Sequence, residues 1–166
     1  MTRMADSSLR TLVVHARQPR GIRRAQSPRP IIFLNIDGVL AHCGSTEELD
    51  PRCITALDAL IVRTNAKVLL TSAWREHYGV AGTEQRLVAA GFRGRLTGAI
   101  PSLPGRSRSE EIRAYLSTIS RRVRFVIIDD VPVDRELRRH FVQVDGFQGF
   151  TCLDAALAAR HLMSPR

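Results

Sequence analysis

The chain has 166 residues, 44% hydrophobic and 25% charged, a balance that suits one globular domain and leaves little room for two. No run of 18 apolar residues occurs, so a membrane-spanning helix is not expected. The net charge of +9 is unevenly placed: residues 1–29 carry seven arginines against Asp6, a balance of +6, and only +3 remains for residues 30–166.

Residues 1–29 therefore read as a basic, disordered tail ahead of a nearly neutral domain spanning residues 30–166. A tail of this kind also suits docking on nucleic acid. Its prolines and glycine interrupt the amphipathic helix of a transit peptide, and it has no apolar signal core, so the cytoplasm is the expected compartment. Cys43, Cys53 and Cys152 are odd in number and lack zinc-finger spacing, which fits reduced thiols.

Past Pro28-Arg29-Pro30, Ile31–Leu34 is a short apolar run that suits a strand buried on both faces. Ile54, Leu57, Leu60 and Ile61 recur at helical spacing behind Asp50-Pro51, an N-cap and a first-turn proline, and predict a helix over 51–64. Lys67–Leu70 is a second strand, and a helical stretch near Thr83–Ala90 stops at Gly91. Ser107 and Glu110 have capping-box spacing and open a helix whose buried stripe is Ile112, Tyr115, Leu116 and Ile119. Arg124–Ile128 is a third strand and His140–Val144 a fourth. Thr151–Leu162 forms the last helix, with Leu153 and Leu157 on one face. Strands separated by helices imply a doubly wound, Rossmann-like α/β fold with a parallel sheet.

In such sheets ligands bind at the carboxyl ends of the strands. The residues there are Asn35 and Asp37, Thr71 and Ser72, and Asp129 and Asp130. Two acids closing the buried strand "FVIIDD" are costly to desolvate without a cation, and with Asp37 opposite they suit Mg²⁺. The plainer reading has Asp129 or Asp130 capping the turn before Val131-Pro132, and Thr71 or Ser72 capping the next helix. Arg108 opposes the macrodipole in the first turn of its helix, a misfit that an anion would answer; Arg106 could serve instead, or both could be solvated. Trp74 suits core packing, with stacking on substrate as the alternative, and Arg75 could clamp substrate. His42 and Cys43 lack a third partner for catalysis.

The ordered segments "FLNIDGVL", "VLLTSAWR", "GRSRSEEIRAYL" and "FVIIDD" resemble the four motifs of the haloacid dehalogenase (HAD) superfamily of phosphohydrolases. "TSAWR", "EEIRAYL" and "HFVQVD" are most similar to the small HAD domain of Swiss Army Knife RNA repair proteins. The resemblance runs from Ile31 to Leu162. It implies an aspartyl-phosphate nucleophile at the position of Asn35, with Asp37 as general acid and base. It implies Thr71 or Ser72 on the phosphoryl oxygens, and Arg108 where the family has lysine. Gly38, Arg75 and Arg106 fall beside the substrate. The Mg²⁺ ligands would be Asp129, Asp130, the Asn35 side-chain oxygen and the Asp37 carbonyl.

Asn35 departs from that pattern. A carboxamide keeps the shape of Asp and can offer an oxygen to metal, but it is neutral and a poor nucleophile. It should preserve the fold and lose most turnover. Only Leu40–Asp50 and the loop Phe92–Gly105 offer places for a cap, and neither can hold a domain. A nearly capless site suits a large phosphorylated substrate or a nucleic-acid end. The expected function is Mg²⁺-dependent phosphomonoester hydrolysis impaired at Asn35. The alternatives are a non-catalytic phosphate- or nucleic-acid-binding module and an interaction domain with a relic site.

Overall fold

The computed structural model describes residues 28–44 and 48–164. Apart from Pro28 and Arg29, the basic segment 1–29 lies outside the described residues. Five strands form one parallel sheet in the order β3-β2-β1-β4-β5. They are β1 (Ile31–Leu34), β2 (Lys67–Leu70), β3 (Leu96–Ala99), β4 (Phe125–Asp129) and β5 (Phe141–Gln143). The helices are α1 (Pro51–Thr64), α2 (Trp74–His77), α3 (Gly79–Ala89), α4 (Arg108–Ser117) and α5 (Cys152–Met163).

The strands alternate between two cores because successive side chains point to opposite faces. Ile32, Leu34, Val68, Leu70, Val126 and Ile128 pack with residues of α1, α3 and α5. Ile31, Phe33, Leu69 and Ile127 face the other way, onto Ile112 of α4 and onto Val133 and Leu137 of the β4–β5 connection. Two crossovers step from β1 to β2 to β3, and the third returns across the sheet to β4. With right-handed connections that reversal puts α4 on the face opposite α1 and α3. Beside β1, where the order reverses, lies the crevice that α/β sheets use for ligands.

Local signals set the helix ends. Asp50 caps α1 by accepting from the Arg52 N–H at 2.7 Å, and Asn65 closes it in the left-handed region at φ 50°. Ser107 and Glu110 make the reciprocal capping box of α4. Thr151 and Asp154 make a second one for α5, a pair the hydrophobic pattern did not disclose.

Three elements differ from expectation. The stretch Phe92–Gly105 is no plain loop, since it contains edge strand β3. "LTGA" hides this because only Leu96 is fully buried and Gly98 breaks the apolar run. The helix expected near Thr83 begins at Gly79, with the short α2 before it. In α5, Leu153 and Leu157 point to solvent, 77% and 44% exposed, and the buried stripe is Ala155, Ala158, Ala159 and Leu162. The small alanines let α5 lie close against α1, so the wider leucines belong outside. No helix among the described residues is long and apolar enough to cross a membrane.

Candidate active site

Sheet register brings three strand ends to one level. The Asn35 N–H donates to the Ile128 carbonyl at 3.0 Å, and the Thr71 N–H to the Leu34 carbonyl at 2.9 Å. Asn35 and Thr71 thereby stand beside Asp129, the last residue of β4. Asn35 is buried at the centre. Its Nδ2 donates to the Asp37 carbonyl at 2.7 Å, to Asp130 Oδ1 at 3.1 Å and to Asp129 Oδ1 at 3.3 Å. The Asp37 carbonyl can only accept, so the amide presents its nitrogen there and not its oxygen. Three oxygens from two chain segments thus converge on one point.

Gly38 makes that convergence possible. It has φ +73°, and a Cβ there would lie 2.4 Å from Asp130 Cγ. Any other residue would strain the turn and push the carboxylate away. Asp129 is 1% exposed, and burial raises its carboxyl pKa above the ordinary value. Arg108 opposes that rise, its Nη1 donating to Asp129 Oδ2 at 2.6 Å. Asp129 Oδ1 also accepts from the Val131 N–H at 3.1 Å, so the turn-capping role coexists with the cluster. The first-turn misfit of Arg108 is thereby answered by a carboxylate of the neighbouring strand.

Asp37 is exposed, but one of its oxygens is held: Trp74 Nε1 donates to Oδ1 at 3.0 Å. Trp74 itself is buried and packs edge-on against Tyr78, so it is a core residue with its single polar atom aimed at the rim. Thr71 and Ser72 part company. The Ser72 hydroxyl caps α2 by accepting from the Trp74 N–H at 3.3 Å. The Thr71 hydroxyl is buried with no hydrogen-bond partner, an uncommon state for a buried polar atom. It lines a cavity of about 490 Å³ shared with Arg75, Arg106, Arg108 and Asp129.

Residues 31–155 match the model of the HAD domain in Swiss Army Knife RNA repair proteins, and that span includes every rim residue named above. The chain belongs to this family. Its fold and scaffold are accordingly those of a HAD-type phosphohydrolase, a superfamily that generally uses Mg²⁺. No curated protein and no solved structure matches the chain.

Within this HAD domain the remaining basic residues are held by protein groups. Arg75 Nη1 donates to the carbonyls of Thr71 and Ser72, and Nη2 pairs with Glu111 Oε2 at 2.7 Å, both side chains 7% exposed. Glu111 Oε1 in turn accepts from the Leu103 N–H at 2.8 Å. The pair therefore ties the end of β2, the loop after β3 and α4 into one frame. Arg106 is exposed and pairs with Glu110 at 2.9 Å. Cys43 lies 3.8 Å from Asp130 Oδ2; burial, with Asp130 adding to it, raises its thiol pKa. His42 pairs with Asp50 rather than with Cys43. The sequence does not single out Glu111, because its partner Arg75 lies 36 positions away. Arg75 lies in α2 and Glu111 in α4, and no local spacing signals the pair.

Proposed function

We propose that this HAD domain binds a phosphate monoester beside Mg²⁺ and that Asn35 arrests its hydrolysis. The observation that carries the reading is the Asn35 amide nitrogen sitting where the Asp37 carbonyl, Asp129 and Asp130 converge. These oxygens are a hard donor set suited to Mg²⁺, and Asn35 completes it once its amide turns to offer oxygen. Mg²⁺ bound there neutralises charge on a phosphoryl group.

The chain's own residues supply the rest. Thr71, whose hydroxyl has no protein partner, and Arg108 across the same cavity bind phosphoryl oxygens. Arg106 stands at the cavity's outer edge as a further contact. Gly38 lets the main chain approach closely. With an acid at position 35 to attack phosphorus, Asp37, oriented by Trp74, would protonate the leaving oxygen and then take a proton from the water that opens the acyl phosphate. Arg75 positions Thr71 through its carbonyl and does not reach substrate. Asn35 is neutral and does not form the acyl phosphate, so the site holds substrate and turns it over poorly.

The open rim favours a large substrate, and a phosphorylated nucleic-acid end fits best. The family name links such domains to RNA repair, and the basic balance of residues 1–29 adds attraction to a phosphate backbone. The test is Asn35→Asp assayed on an aryl phosphomonoester with Mg²⁺. Turnover should appear in the variant, and a folded variant that gains none overturns the reading. A second reading, a non-catalytic nucleic-acid-binding module, is favoured by Asn35 itself together with the arginines of residues 1–29. It predicts steeply salt-dependent binding that vanishes when residues 1–29 are deleted.

A further inference from the structure

A separate cluster occupies the corner between the loop after β1, the start of α1 and the lead-in to α5. One ligand atom from each of His42, Asp50 and Cys53 lies within 4.8 Å of the other two. His42 Nε2 and Asp50 Oδ2 are 2.7 Å apart. We propose that these three residues form a binding site for a zinc-like divalent cation, distinct from the Mg²⁺ site of the rim and independent of the phosphohydrolase reading.

The donor chemistry selects the ion. Imidazole nitrogen, carboxylate oxygen and thiolate sulfur together form the mixed set that Zn²⁺ accepts, with bonds of about 2.0–2.3 Å, whereas Mg²⁺ requires oxygen alone. Asp50 divides its work. Oδ1 takes the Arg52 N–H at 2.7 Å and keeps the α1 cap, while Oδ2 faces His42. Arg52 also reaches Oδ2, at 2.8 Å, but its side chain is 87% exposed and can swing into solvent.

The space is kept open by backbone. Gly149 has φ +72°, and a Cβ there would lie 2.6 Å from Cys53 Sγ and 3.1 Å from His42 Cε1. A side chain at 149 would fill the gap between the two donors. A cavity of about 610 Å³, lined by all three ligands and by Cys152, gives the ion a path from solvent. On binding, a Zn–S bond replaces the Cys53 S–H bond and the proton goes to solvent, with no change of oxidation state. Three protein ligands leave a fourth position for water. The bound ion would clamp the loop that carries Asp37 and Gly38 against α1 and α5.

Co²⁺ titration of the full chain, followed by thiolate-to-cobalt absorption, tests this, with Zn²⁺ affinity measured by competition against a chromophoric chelator. The Co²⁺ bound at this corner should give the thiolate band. Cys53→Ser should abolish the band, and His42→Gln should weaken Zn²⁺ at least about 100-fold, since it removes a direct ligand where loss of a supporting partner already costs 10–100-fold. Cys43→Ser and Asp130→Asn should leave the thiolate band unchanged. If Cys53→Ser does not fold, His42→Gln carries the test by itself. A missing thiolate band in the folded full chain overturns the proposal. So does Zn²⁺ uptake in the Asp130→Asn background that survives His42→Gln, or a thiolate band that falls in Asp130→Asn.

Discussion

The two halves of the rim are built on opposite plans. On the β1–β4 side, acids and a carbonyl are held at strand ends by the sheet register and converge on the Asn35 amide. On the β2–α4 side, cations dominate, and they are placed by a helix start and by the buried Arg75–Glu111 pair. The first half resembles a cation site neutralised by an amide proton donor. The second gathers cations around a Thr71 hydroxyl that has no partner, with Arg108 engaged by Asp129. The Arg108–Asp129 contact joins them, so filling either half alters the charge felt by the other. Strand ends hold the acidic half by backbone register, whereas the cationic half depends on side chains that can change partner.

The comparison breaks most directly at Asp37, the one rim acid exposed to solvent. In the Asn35→Asp background, Asp37→Asn should lower kcat by roughly 10²–10⁴-fold, as loss of a general acid does, with the fold intact by circular dichroism. Equal rates in the two proteins would remove Asp37 from the chemistry. Next comes the frame of the cationic half. Arg75→Met strands Glu111 without its partner and should cost about 3–5 kcal/mol in urea unfolding, the usual cost of breaking a buried pair. A loss below 1 kcal/mol, in the range of a surface pair, would show that the frame is dispensable.

The acidic half is sharpened by metal. Mg²⁺ at about 100 times its Kd should stabilise the chain by about 2.7 kcal/mol, visible as a rise in Tm that Asp130→Asn abolishes. An undiminished rise in that variant would place the ion elsewhere. The smallest effect belongs to Asp50, outside both halves. The Arg52 guanidinium, with His42 adding to it, holds its carboxyl far below the ordinary value against the opposing effect of burial. A lowered folded pKa means stability that is fully present above the unfolded value, near pH 4, and is lost as pH falls through the folded value. Asp50→Ala should cost about 1 kcal/mol at neutral pH and flatten the acid side of the stability curve below pH 4. Parallel curves for variant and parent would contradict that assignment.

Much of this was legible in the residues. Buried strands announced themselves as apolar runs between Pro and Gly, and Asp50-Pro51 and Ser107 marked two helix starts, because these signals are local. The rim residues could be named because parallel sheets place strand ends together. Strand β3 and the outward turn of Leu153 and Leu157 were not legible, since an edge strand is only half covered and the closeness of α1 decides which face of α5 is buried.

Residue types and spacing determined the α/β class and the gathering of Asn35, Asp37, Asp129 and Asp130 at strand ends, and the resemblance to the HAD motifs marked Asn35 as an amide at the usual position of an acid. Tertiary structure decided which partner each group takes: Thr71 without a partner and Ser72 as a cap, Arg75 against Glu111, Trp74 on Asp37, and His42 beside Asp50 and Cys53. The physical reason is range. Propensity and capping act over a few neighbouring residues, whereas a hydrogen bond between side chains 36 or 37 positions apart forms only after the sheet has brought together the segments that follow its strands, with donor and acceptor about 3 Å apart.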